Sequence, residues 1–241
     1  MKLPEMTERP EKRVLITAGA YWLMMLFLIP IVLIYFTIGF HENDKVLGWV
    51  QIIYHVINLV CVIFIFKDHL YDCWLTVQLQ TKKVILTALV GVIASVFLLK
   101  IGKLLGPLFL PMFGMAANGV PMVELELFLF PKYLVEVHSL LGTLVVVSAS
   151  VTVACLLYGL GFSAACSHRS WLGYVVVTGV LILHRCFFYY TVGTVDVAAS
   201  AFWVQLPVHL LACAAYHYTD SIWTPIFMLA VLNLLGCVGV V

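Results

Sequence analysis

Three polar side chains stand inside long apolar runs in the last hundred residues: Cys155, His184 and Asn233. A thiol, an imidazole and an amide are the residue types of a Cys–His–Asn nucleophilic arrangement, in which the ring takes the thiol proton and the amide orients the ring. Their runs end near Ser167, Ser170 and Ser221. At about 1.5 Å per helical residue, Cys155 lies roughly 18 Å in, His184 roughly 21 Å and Asn233 roughly 18 Å, so helices can bring all three to one level. The structural reading stands beside this one. A lone His or Asn in a span commonly makes only an interhelical hydrogen bond, well under about 2 kcal/mol. A buried thiol is ordinarily inert. His209, two residues after Pro207, either answers the carbonyl that the proline frees or faces a cavity, and a structural role is the expectation. Glu136 and His138 stand at the mouth of the fourth apolar run and read as solvated. Trp171, Trp203 and Trp223 lie near run ends and read as interfacial anchors.

The elements that must position these residues follow from composition. Of 241 residues 63% are hydrophobic and only 10% charged, against roughly 25% charged in an ordinary soluble domain. Mean hydropathy is +1.09. Such a chain finds its solvent in lipid, where spanning segments must satisfy their own backbone groups and therefore wind as helices. The expected fold class is all-α: a polytopic helical bundle with spans at 14–40, 47–66, 84–105, 139–166, 170–190, 200–216 and 221–240. A proline-broken re-entrant or interfacial segment is expected near 106–131, which holds Pro107, Pro111, Pro121 and Pro131. Residues 1–13 read as a tail, 14–241 as a single membrane domain, and 67–83 as a solvated, partly helical inner loop. With the N-terminus inside, eight Lys and Arg residues face inward and five outward, which favours a cytoplasmic N-terminus in the cell membrane. A net charge of +1 gives no case for nucleic acid. The seven cysteines include no CxxC pair and read as small buried hydrophobes. There is no P-loop, GxGxxG, HExxH or GxSxG, and Tyr158-Gly-Leu-Gly161 reads as small-residue helix packing.

The segment Ala215-Tyr-His-Tyr-Thr-Asp-Ser-Ile-Trp-Thr-Pro-Ile226 resembles the closing signature of the CAAX protease and bacteriocin-processing (CPBP, or Abi) family of membrane proteins. Leu156-Leu-Tyr158 followed by Ser167-His-Arg-Ser-Trp-Leu172 is similar to that family's first motif region. Tyr54-His-Val-Ile-Asn58 through Phe66-Lys-Asp-His-Leu-Tyr-Asp-Cys-Trp74 resembles an early segment of many members. The likeness runs from about residue 50 to the end, with a core at about 139–241. It implies a membrane bundle that, in active members, acts as an intramembrane metalloprotease. The family motifs are Glu-Glu-x-x-x-Arg, Phe-x-x-x-His, and His-x-x-x-Asn or Asp.

The likeness fails where that chemistry needs it. Ala154 and Cys155 stand in place of the paired glutamates, Gly159 in place of the arginine, Val180 in place of the phenylalanine and Leu229 in place of the third-motif histidine. His184 and Asn233 are kept. No Glu or Asp lies between His138 and Asp196, so a shift of register restores nothing. Ala and Leu neither ionise nor coordinate a metal, and one His with one Asn does not make a three-ligand catalytic zinc site. The expected function is therefore a catalytically inactive relative, without metal or cofactor. Its expected contacts are the lipid bilayer and a membrane protein partner, or a lipidated or hydrophobic peptide, in a scaffold or immunity role. An enzyme with a rebuilt thiol site and a transport component are the alternatives.

Overall fold

The computed structural model describes residues 10–24, 44–109, 140–166, 169–192 and 195–237. Among them there is no strand. The helices are α1 (12–24), α2 (Asp44–Leu79), α3 (Thr81–Phe109), α4 (Leu140–Val153), a π-helical segment (Ala154–Phe162), α5 (Ser163–Cys166), α6 (Ser170–Val192), α7 (Val195–Thr219) and α8 (Trp223–Cys237). Among the described residues three stretches are long and apolar enough to cross a membrane: Ile52–Leu79, Thr81–Gly102 and Gly142–Cys166. Ser170–Leu183 and Trp223–Leu235 are shorter apolar helices. The re-entrant segment expected near 106–131 lies outside the described residues from 110 onward, and up to Phe109 the chain is still helical. Glu136 and His138 also lie outside them.

One expectation is corrected. Residues 67–83 are not a loop. Helix α2 runs through them to Leu79, Gln80 alone forms a turn, and α3 starts at Thr81. Lys67, Asp68 and Asp72 are exposed, as a solvated loop requires, but Phe66, His69, Leu70, Cys73 and Val77 recur every three or four residues and bury one face. That face, not the charge content, decides the element. The Thr81 hydroxyl donates to the Val77 carbonyl (2.8 Å) at the junction.

The strand of helix from α4 through α5 is the centre of the bundle. From Val145 to Cys166 nearly every side chain is buried, as expected of a helix apolar all round. Small residues (Ser148, Ala149, Ser150, Ala154, Gly159) let neighbours approach closely. Their hydroxyls bond back along the helix: Ser148 to the Leu144 carbonyl (2.6 Å), Ser150 to Val146 (2.8 Å) and Thr152 to Ser148 (2.9 Å). A buried polar side chain is thereby satisfied without a partner helix. Helix α2 packs on α4, α8 packs on α4 and α7, and α7 packs on α3 and α6. The outward faces of α2 and α3 (Ile53, Ile57, Val60, Phe64; Leu86, Val90, Ile93, Phe97) are apolar and exposed, the pattern of helix surfaces solvated by lipid.

Candidate functional site

Three of the positions singled out in the sequence, Ala154, Cys155 and Gly159, lie on the π-helical segment. A π turn closes hydrogen bonds one residue further along than an α turn and is commonly found at functional sites. Ala154 and Cys155 begin it, both fully buried, and all nine of its residues are buried. Gly159 sits where Phe66 and Ile222 close over it. A Cβ there would meet Ile222 Cδ1 at 2.9 Å and Phe66 Cε1 at 3.1 Å. The reading of Tyr158–Gly161 as close helix packing agrees with this. The hydroxyl of Ser163 donates to the Gly159 carbonyl.

Helix α8 supplies the other wall. Gly159 lies against Ile222, and Asn233 Nδ2 donates to Ser150 Oγ at 2.9 Å. The two helices therefore run antiparallel, and Leu229 falls level with Ala154. Leu229 is 4% exposed. The amide of Asn233 is thus directed at Ser150, more than one helical turn before Cys155. His184 lies on α6 and Val180 one turn before it, half-buried. The side chain of His184 is outside the described residues, so its distance from Cys155 is not part of this geometry.

Polar side chains that the sequence reading did not bring together meet elsewhere in the apolar layer. The Tyr158 hydroxyl, on the π segment, shares a hydrogen bond with His209 Nδ1 on α7 at 2.7 Å, both side chains being buried. His209 was expected to serve the backbone opened by Pro207. Helix α7 passes through Pro207 without a break, and the ring reaches across to another helix. On the other side of the bundle the Tyr21 hydroxyl, from α1, donates to Asn58 Oδ1 on α2. Buried Tyr54 and His55 stand beside Asn58, and His55 Nε2 has no hydrogen-bond partner. The sequence signal for this group was present: polar residues at 54, 55, 58 and 69 fall on one helical face of an apolar run.

A third polar group marks the α7–α8 corner. His69 Nε2 pairs with the Tyr216 hydroxyl at 3.2 Å, Ser221 Oγ donates to the Cys73 carbonyl at 3.1 Å, and Trp223 Nε1 donates to the Leu70 carbonyl at 2.9 Å. Trp223 also meets Trp74 edge to face, with ring centroids 5.3 Å apart, while Trp171 is exposed. The side chain of Trp203 is outside the described residues. Asp220 turns the corner in the left-handed region, φ 53°, which Asp tolerates better than most residues.

Among the described residues no group of three or more His, Cys, Asp or Glu side chains is placed to hold a metal ion. Cys61, Cys73, Cys155, Cys166 and Cys213 are in no disulfide, and all but Cys61 are buried. The side chains of Cys186 and Cys237 are outside the described residues. Among the described residues the polar groups join helices through neutral hydrogen bonds, and apolar or neutral side chains fill the layer around Ala154. No family model matches the chain, and neither a curated protein nor a solved structure matches it.

Proposed function

We propose that the chain is a catalytically inactive relative of the CAAX protease and bacteriocin-processing family, with about seven spans and a cytoplasmic N-terminus in the cell membrane. In this reading it holds a lipidated or hydrophobic peptide, or a membrane protein partner, in a scaffold or immunity role without cutting it. The observation that carries the reading is the packing at Ala154 and Cys155. Both are fully buried on the central helix, where hydrolysis needs a hydrated carboxylate. Leu229 and Gly159 support it, because each stands at a motif position and each is enclosed by apolar neighbours.

The test is incubation of purified protein with a prenylated CAAX peptide in detergent, beside an active member of the family. The peptide is expected to remain intact with this chain and to be cut by the active relative. Cleavage by this chain would overturn the proposal. Cys155→Ala would then show whether a thiol has taken over from the carboxylates.

A further inference from the structure

Helix α2 is longer than a bilayer requires. Its 36 residues extend about 54 Å, whereas the hydrocarbon core is about 30 Å thick. Its lower end is fixed by its neighbour. Only Gln80 separates Leu79 from Thr81, and α3 is apolar from Val84 onward, so Leu79 lies at the bilayer surface. Lys67 and Asp68 come eleven or twelve residues earlier, about 18 Å along the helix. Were α2 upright, these two exposed charges would lie near the bilayer centre, where a charged side chain is costly. An inclined helix keeps them at the surface.

Contacts at both ends of the segment agree with that inclination. Leu70 and Cys73 are bonded through their carbonyls to Trp223 and Ser221 of the α7–α8 corner. Ten residues after Cys73, the Lys83 ammonium lies 4.7 Å from the centre of the Tyr218 ring at the same corner. Helices α2 and α3 make little contact with each other, so they diverge from Gln80 rather than fold back as a hairpin.

The face turned away from the corner is aromatic and aliphatic. Tyr71 is 63% exposed, Leu75 40% and Leu79 85%, next to Lys67, Asp68 and Asp72, while Trp74, whose ring rests on Trp223, edges this face at 39%. Tyr and Trp rings favour the headgroup level of a membrane, and mixed charged and apolar side chains favour the same zone over either water or hydrocarbon. This face is continuous with the lipid-facing side chains Ile63 and Phe64 one turn earlier.

We infer that Lys67–Leu79 is an interfacial segment, whose outer face is covered by the headgroup layer of the phospholipid leaflet rather than by water or by another protein. The inference does not depend on the family reading and stands or falls separately from it.

Leu75→Cys and Leu79→Cys carry an environment-sensitive NBD label in phosphatidylcholine vesicles, with Val90→Cys on the outer face of α3 as the reference for the hydrocarbon core. The unsubstituted protein, taken through the same labelling, gives the background from native thiols. Lipids brominated near the headgroup are expected to quench the label at 75 and 79 roughly twofold more than lipids brominated near the chain ends, with the order reversed at 90. Water-like emission at 75 and 79 that neither lipid quenches would overturn the inference. So would a shielded label that neither lipid quenches, or stronger quenching from the chain ends.

Discussion

The α7–α8 corner and the layer around Ala154 join helices in opposite ways. At the corner, α2 offers backbone carbonyls and an imidazole, which Tyr216 of α7, Ser221 of the turn and Trp223 of α8 meet. Along the π segment, Phe66 of α2, Ile222 and Leu229 of α8 close on the central helix and on Gly159. Directional bonds fix the relative position of helices at the membrane edge, where water competes for every polar group. In the interior, close approach of small and apolar surfaces does that work, as is usual between helices in lipid. The lesson concerns where polarity sits: Ala154, Gly159 and Leu229, at which the resemblance implies charged or imidazole side chains, carry none and are closed in by apolar neighbours.

The contrast is broken most directly by placing a charge in the apolar layer. Ala154→Glu is expected to lower stability by about 3 kcal/mol, the scale for a carboxylate deep in a spanning helix. Denaturation in mixed detergent micelles measures it, and an unchanged midpoint would mean that water reaches this layer. The corner answers to a milder change. Tyr216→Phe removes the hydroxyl that meets His69 and is expected to cost about 1 kcal/mol in the same titration. The smallest effect sharpens the comparison. Asn233→Leu removes the bond to Ser150 Oγ, whose hydroxyl keeps its bond to Val146, so the loss is expected near 0.6 kcal/mol, the average for such interhelical bonds. A larger loss would show that the amide also meets a group beyond Ser150.

Hydropathy located the run from α4 through α5, and the helices α6 and α8, to within a few residues, because lipid leaves a chain little choice but helix. It misjudged the end of α2, since Lys67, Asp68 and Asp72 raise the polarity of a segment whose other face is buried. The π segment has no signature that periodicity can show: its residues are apolar on every side, and period is visible only against a polar face. Tyr158 and His209 were both noticed, yet their bond spans 51 positions in the chain, and nothing local to either announces the other. Counting residues inward from the helix ends put Cys155 and Asn233 at one level. The packing sets Leu229 level with Ala154 instead, and the Asn233 amide meets Ser150, more than one turn from Cys155.

The π segment also sets the phase of everything on either side of it. Each π turn takes in one residue more than an α turn would, so α4 and α5 are rotated relative to one another by an amount that continuous α-helix would not produce. Removing one residue between Ala154 and Phe162 would rewind the helix as α and swing Ser150 by about 100° relative to Tyr158. Asn233 and His209 could then no longer both keep their partners. The bundle would have to choose which of its two cross-links to hold, and so tolerates substitution in this stretch far better than it tolerates a change of length.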